Sequence, residues 1–312
     1  MTIDASSLLA AAASAAGSQQ YPAGALYVVA TPIGNLADLT LRAIHVLSLV
    51  DAVACEDTRH SGPLLRMLGL DKPLIAAHEH NEREAAQTVL SRLAAGERVA
   101  YISDAGTPAI SDPGAVIVAA AREAGYRCIP LPGASAGVAA LSVAGDVHAA
   151  SFTFNGFLAS KAGERLLDLK RLNARAEAQV MFEAPHRIEA LTAALAEVCG
   201  PRLVTVCREL TKQFEAVDTM AANALPAWLA ADANRSRGEF VLVLHGLGAV
   251  TDAPAESQHD EMLTTLMAEL PLKQAVAIGA RLTAAPRNAL YQRALALKAS
   301  ADDTEPAGSD LD

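Results

Sequence analysis

From Leu26 onward the chain alternates short apolar runs with longer stretches in which apolar residues recur every three or four positions. The run LYVVA (26–30) breaks at Pro32 and Gly34, after which Leu36, Leu39, Ala43, Val46, Leu47 and Val50 return at helical spacing. This predicts a strand, a tight loop and a helix. Ala52–Cys55, Leu74–Ala77, Val99–Ile102 and Cys128–Leu131 predict further strands. The helices predicted between them include a short one around Leu64–Leu68 and one over Glu82–Ala95, with Asn81 and Glu84 as a capping box and Gly96 as its stop. Another is opened by Pro113 and closed by Gly125, and a last one spans Ala134–Ala144. Such alternation predicts a mostly parallel sheet covered on both faces.

After Gly145 the rhythm changes. Leu203–Cys207 and Phe214–Thr219 are β-rich runs separated by a segment too short for a crossover helix, so they read as an antiparallel pair. Phe152–Phe157, Val180–Glu183 and Phe240–Leu244 complete a mixed sheet, with helices near Glu164–Leu172, Ile188–Val198 and Leu225–Ala230. The expected organisation is α/β throughout. A disordered Ala/Ser-rich leader (1–24) precedes an N-terminal α/β domain (25–145) and a second α/β domain with a mixed sheet (146–250). A linker and small helical piece (251–300) and an acidic tail (301–312) follow. Within the helical piece, 251–259 reads as linker, and Pro271–Thr283 and Arg287–Leu297 as two helices.

Composition narrows the classes. Of 312 residues, 52% are hydrophobic and 19% charged, which excludes global disorder, and 4% aromatic content argues against an all-β sandwich. Outside the Ala-rich leader, no long apolar run is free of charges and breakers, so no membrane span is expected. The leader resembles a signal-peptide core, but its opening residues carry an acid and no Lys or Arg, against secretion. A net charge of −10 excludes a polycation steered onto nucleic acid as a whole, and DNA is not an expected partner. Much of the acidity sits in the tail, at Asp302, Asp303, Glu305, Asp310 and Asp312. Cys55, Cys128, Cys199 and Cys207 form no C-x-x-C pair, which fits reduced thiols in a cytoplasmic protein.

In an open parallel sheet, ligands bind outside the carboxyl ends of the strands. The turns expected there are polar: TPIGN (31–35), EDTR (56–59), HEHN (78–81), SDAGTP (103–108) with SDPG (111–114), and PGAS (132–135). The turn Pro32–Asn35 lets backbone amides approach a ligand closely, yet it is neither the G-x-G-x-x-G fingerprint nor a P-loop, which disfavours dinucleotide oxidoreduction. Asp104, followed by the small residues Ala105 and Gly106, is placed either to hold an amino or hydroxyl group or to cap a turn. His78 and His80 form an H-x-H pair without a convergent third ligand, so no metal is expected. No G-x-S-x-G motif supports covalent hydrolysis.

The ordered set LYVVATPIGNL (26–36), EDTRH (56–60), HEHNE (78–82), SDAGTPAISDPG (103–114), RELTK (208–212) and GEFVLV (238–243) closely resembles the ribosomal RNA small subunit methyltransferase I family of the tetrapyrrole methylase superfamily. The resemblance runs from about Ala25 to Leu297. It implies a homodimer of two α/β domains that uses S-adenosylmethionine to methylate the ribose 2′-hydroxyl of a cytidine in 16S rRNA of the small ribosomal subunit. Carried onto this chain, the cofactor residues would be Pro32, Ile33, Gly34, Asn35, Ser103, Asp104, Ala105, Gly106, Pro132, Gly133 and Phe182. Ala184, where the family usually has Ser or a similar polar residue, and Ala159, where Pro is common, depart from the pattern.

A methyl sulfonium is already electrophilic, so such an enzyme must align it and help a ribose hydroxyl lose its proton. Glu56, His78, Glu79 and Glu183 are the candidate bases, unranked. Arg59, Arg187, Arg208 and Lys212 adjoin motif acids and are candidates either for RNA phosphate or for internal salt bridges. Lys273, Arg287 and Arg293, with Arg281, Lys298 and Tyr291, are candidates for a basic stacking surface on the helical end piece. Two other classes fit parts of this pattern: a tetrapyrrole C-methyltransferase, and a non-catalytic RNA-binding or ribosome-assembly module.

Overall fold

The computed structural model describes residues 4–247, 259–283 and 285–302. The chain divides into two units, residues 1–247 and 248–312. Most of the expected linker (251–258) and tail (303–312) lies outside the described residues.

The first unit opens with α1 (Ala5–Ala16), β1 (Ala25–Val29), α2 (Leu41–Leu49), β2 (Ala52–Cys55), α3 (Thr58–Met67) and β3 (Leu74–Ala76). Next come α4 (Glu82–Ala94), β4 (Val99–Ile102), α5 (Ala115–Glu123), β5 (Arg127–Leu131) and α6 (Ala136–Ala144). The five strands form one parallel sheet in the order β3-β2-β4-β1-β5. Alternate residues of β1 serve opposite layers: Ala25, Tyr27 and Val29 join the core under α2, and Leu26 joins the core under α4 and α5. Both faces are therefore apolar, as the unbroken run LYVVA requires.

Two expectations are corrected here. The leader is helical rather than disordered over Ala5–Ala16: Asp4 caps it, its side chain accepting the Ser6 amide, and Ala12 and Ala16 are buried. Leu8 and Leu9 pack onto the first core beside α2, so burial of a small-residue stripe orders a segment whose composition alone reads as low complexity. The Asn81–Glu84 capping box does not form. Asn81 Oδ1 instead accepts the His78 amide at 2.8 Å, and Glu82 reaches across to accept the amides of Gly114 (2.6 Å) and Val116 (3.1 Å) at the start of α5. The carboxylate of one helix thus caps another.

The unit continues through β6 (Phe152–Phe157), α7 (Ala162–Asn173), β7 (Ala178–Glu183), α8 (Ile188–Cys199), β8 (Leu203–Arg208), β9 (Ala216–Ala221), α9 (Leu225–Ala230) and β10 (Phe240–Leu244). These strands make the expected mixed sheet, β6-β7-β10-β8-β9, parallel only between β6 and β7. In β10, Phe240, Leu242 and Leu244 face the core beneath α7, α8 and α9, whereas Val241 and Val243 face the opposite layer. That layer is supplied in part by α6: Ala140 and Ala144 are buried with Val180, Cys207, Val241 and Val243. A helix that precedes Gly145 in sequence thus covers the second sheet.

The second unit, described by itself, comprises α10 (Asp260–Glu269), α11 (Leu272–Thr283) and α12 (Arg287–Asp302) around Leu263, Val276, Leu290 and Ala294. The sequence reading placed two helices here, and α10 is a third. No described helix is long and apolar enough to cross a membrane.

Because α1 is packed, Ala12→Leu is expected to destabilise the protein by about 1–3 kcal/mol through overpacking. Ala15→Leu, on the exposed side of the same helix, should stay within about 0.5 kcal/mol. Denaturant unfolding of the two variants measures the difference, and equal, negligible effects would mean an unpacked leader.

Candidate functional site

The strand order brings the loops after β1 and β4 together, because these strands are neighbours at the centre of the first sheet. A two-way bridge joins them: the Thr31 amide donates to the Gly106 carbonyl at 2.9 Å and the Gly106 amide to the Thr31 carbonyl at 3.1 Å. The Thr31 hydroxyl also donates to the Ser103 carbonyl, and the Ser103 hydroxyl to that of Gly106. Gly106 takes φ +85°, and a Cβ there would press on Ile33 at 3.3 Å. Glycine is required both for the conformation and for the approach. Ala109 and Ser111, in the same loop, adopt left-handed φ values of 64° and 73°, strain that concentrates where the loop turns toward a cavity.

That cavity, of about 310 Å³, is walled on one side by Ile33, Ala105, Gly106 and Asp112. The opposite wall comes from the second sheet, with Phe157, Phe182, Glu183 and Phe240. A register shift between Phe154 and Gly156, with Gly156 at φ +62°, re-aims the end of β6 and brings Phe157 edge-on to Phe182 (centroids 5.8 Å). Phe154 packs on the other side of Phe182 at 5.0 Å. An adjoining apolar groove is lined by Pro132, Gly133, Val138, Leu141 and Phe154.

Of the candidate cofactor residues, Ile33, Ala105, Gly106 and Phe182 line the cavity and Pro132 and Gly133 the groove beside it. The others support it. Ser103 is buried and pins the bridge, and Asn35 accepts the Ala37 amide. Gly34 lies so close to Lys212 that a Cβ would fall 2.5 Å from its Cγ, and Pro32 leads into this contact. Asp104 is engaged at both oxygens, accepting the Asp57 amide at 3.2 Å on Oδ1 and facing His60 Nδ1 at 3.1 Å on Oδ2.

The candidate bases separate. Glu56, at the end of β2, has its carboxyl raised by burial and by the charges of Asp104 and Asp57. His78 and Glu79 follow β3, the edge strand, and line neither cavity nor groove. Glu183 is on the cavity wall with its side chain fully buried; its Oε1 lies 3.0 Å from Arg187 Nε and accepts the Ala184 amide, while Oε2 has no partner among the described residues.

The candidate cations are mostly committed inside the protein. Arg187 donates to the Leu158 carbonyl and to Ser160, Lys212 bridges Glu209 and Glu239 at 2.9 Å each, and Arg208 reaches the Arg237 carbonyl. Arg59 grips Asp57 through Nε and Nη2 and holds that carboxyl down to about 2, with its own side chain 88% exposed. In the second unit, Arg293 pairs with Asp260 and Tyr291 packs against the three-helix core, whereas Lys273, Arg281, Arg287 and Lys298 are exposed.

Sequence reasoning missed two groups. Asp112 lies on the cavity wall, its carboxyl pushed up to about 6 by burial and by the charges of Glu56 and Asp104. The buried Tyr101 hydroxyl, raised by burial and then by Glu82, Glu56 and Asp112, has no hydrogen-bond partner among the described residues. The SDPG turn could have flagged Asp112, but only the fold brings it near Glu56. His60 is the second group: Asp57, His60 and Asp104 each place a nitrogen or oxygen within 4.8 Å of the others. Arg59 occupies both Asp57 oxygens and His60 occupies Asp104, so the cluster is closed by its own hydrogen bonds rather than opened for a cation.

The chain matches the family described as Tetrapyrrole (Corrin/Porphyrin) Methylases over residues 25–226, and the RsmI C-terminal HTH domain over 252–298. It is 44% identical to Ribosomal RNA small subunit methyltransferase I of Escherichia coli O157:H7 over 87% of this chain and 95% of that one. Against the protein of the same name from Neisseria meningitidis serogroup B it is 45% identical over 88% of this chain and 94% of the other. Among solved structures, it resembles the methyltransferase CobJ with a TM-score of 0.54 at 19% identity, over 72% of this chain and 95% of that one. The uroporphyrin-III-C-methyltransferase from Thermus thermophilus gives 0.51 at 22%, over 70% and 94%. These structures share the fold.

The raised Asp112 carboxyl sets a pH prediction. A carboxyl with a higher pKa folded than unfolded makes the native state bind more protons between the two values, so its contribution to stability falls as pH rises through that window. From about pH 4 to about 6 the wild-type protein should lose stability relative to Asp112→Asn, leaving the variant ahead at pH 8 by on the order of 1 kcal/mol. Chemical denaturation at several pH values measures the difference curve, and a flat curve would show that Asp112 is not so placed.

Proposed function

Because the chain belongs to the tetrapyrrole methylase family and, within it, to the ribosomal RNA small subunit methyltransferase I family, we propose that it transfers a methyl group from S-adenosylmethionine to the ribose 2′-hydroxyl of a cytidine in 16S rRNA. It works as a homodimer in the cytoplasm, on the small ribosomal subunit. The observation that carries this reading is the cavity built from loops of both sheets, apolar along Phe157, Phe182 and Ile33 and polar at Glu183 and Asp112.

The residues present fit a ligand of this kind. The backbone at Ala105 and Gly106 comes close without side-chain obstruction, Phe182 offers an aromatic edge, and the unpartnered Glu183 Oε2 is an acceptor for an amino or hydroxyl donor. When bound, S-adenosylmethionine supplies an electrophilic methyl on a sulfonium. The protein's part is to hold that carbon in line with the incoming oxygen and to keep competing water out.

At about 310 Å³ the cavity suits one small ligand, and the apolar groove beside it leaves room for an acceptor next to the donor. What favours RNA over a tetrapyrrole as acceptor is the 44–45% identity to proteins named Ribosomal RNA small subunit methyltransferase I and the match to the RsmI C-terminal HTH domain. The three-helix unit that matches an HTH domain presents Lys273 and Arg287 to solvent and is the second contact for RNA phosphate.

Transfer of labelled methyl to small subunits lacking the modification, with naked rRNA and a porphyrinogen in parallel, is expected to label a cytidine ribose. Label on the porphyrinogen alone would overturn the substrate, and binding without transfer anywhere would leave a binding module. Gly106→Val, which drives a branched side chain at positive φ toward Ile33, should weaken S-adenosylmethionine binding by about tenfold or more in calorimetry. Lys273→Ala with Arg287→Ala should weaken rRNA binding and lower the slope of log K against log salt by about 1 for each cation, with cofactor affinity unchanged.

A further inference from the structure

The motif EDTRH sets up a geometry that the candidate bases do not include. Asp57 caps α3 by accepting the Arg59 amide at 2.7 Å, so the helix begins at Thr58 and its first turn carries Arg59 and His60 at the carboxyl edge of the parallel sheet. His60 Nδ1 lies 3.1 Å from Asp104 Oδ2 and 3.7 Å from Asp57 Oδ2. Asp104 is itself fixed by the Asp57 amide and is followed directly by Ala105 and Gly106 of the cavity wall. The pair is therefore attached to the rim of the cavity at one residue's remove. An imidazole that donates Nδ1–H to a carboxylate presents Nε2 as an acceptor, and the His60 side chain is 69% exposed.

We infer that His60, oriented by Asp104, is the general base that takes the proton from the ribose 2′-hydroxyl. This rests on the ribose reading given above. The proton passes to Nε2 as the O2′–carbon bond forms and the carbon–sulfur bond breaks. The pair of electrons from that bond stays on sulfur, which leaves as a neutral thioether, and the imidazolium returns its proton to water. Asp104 keeps the ring in the accepting tautomer and stabilises the cation that forms. The charged groups around the ring are Asp57 at the cap of α3, with Arg59 bonded to it, Asp104 from the loop after β4 and Glu56 from the end of β2. Arg59, whose bonds to Asp57 use Nε and Nη2, stands next to the base with its outer edge turned to solvent. It can hold the phosphate that flanks the reacting ribose.

The other candidates are worse placed for a hydroxyl brought by a macromolecule. Glu183 lies inside the cavity with its Oε1 held by Arg187 and the Ala184 amide, where the cofactor would face it, and His78 and Glu79 follow the edge strand. Glu56 is half-buried, whereas the His60 ring is exposed to an incoming hydroxyl.

The test uses the full-length protein with small subunits lacking the modification. The methylated nucleoside is mapped by mass spectrometry and cofactor affinity is read separately by calorimetry. In His60→Ala the single-turnover rate should fall by about 100-fold or more with cofactor affinity unchanged. Added imidazole should restore turnover in proportion to its neutral form, which a structural role for the side chain would not allow. A rate in His60→Ala close to wild type, or a loss that imidazole does not relieve, overturns the inference while the ribose product of the wild-type enzyme still stands. A wild-type product methylated elsewhere than on ribose removes the substrate reading and this inference together.

Discussion

The whole site hangs on the two hydrogen bonds between Thr31 and Gly106. They extend pairing beyond β1 and β4 by one antiparallel bridge, and so turn two loops that would otherwise diverge into a single shelf. From that shelf follow the path of residues 103–114, the close approach of Ile33 and the exposure of bare backbone to the cavity. The parallel sheet makes the shelf possible, since all five strands end on the same side and the loops after them gather there.

That gathering has an electrostatic cost. Glu56, Asp57, Asp104 and Asp112 are brought into one region by two strand ends, and the charges of Asp57 and Asp104 on Glu56, and of Glu56 and Asp104 on Asp112, raise the cost of ionising them. The chain relieves the outer pair with partners of its own. Arg59 neutralises Asp57 and His60 engages Asp104, whereas Glu56 and Asp112 are left to share a partly buried space beneath the unpartnered Tyr101 hydroxyl. The result is a gradient, from partnered carboxylates at the rim to poorly compensated polarity inside. Poorly compensated carboxyls of this kind cluster in functional pockets.

Most of the architecture was legible because the periodicities are clean. LYVVA and FVLVL are unbroken since both sides of each sheet are covered, and the pairing of β8 with β9 followed from the short segment between them. What was not legible depends on long-range partners. The leader reads as low complexity because Ala12 and Ala16 gain their meaning only from α2, and Glu82 looked like part of its own helix start although its acceptors serve α5. At the site, the turns after the strands pointed to Ile33, Ala105 and Gly106, but Phe157 reaches the cavity through a bulge that leaves no signature beyond one glycine. His60 was visible in its motif yet unremarkable, since its partner Asp104 is far away in sequence.

Helix α6 belongs to the first half of the chain by sequence and to the second by packing. Its alanines cover Val180, Cys207, Val241 and Val243, so the second sheet has a finished surface on that side only when the segment before Gly145 is present. The two sheets are thus one object in heredity as well as in space. A gene rearrangement that exchanged the second sheet between relatives at the apparent boundary would separate this helix from the valines it shields, and a viable crossover would have to fall before Ala136 instead.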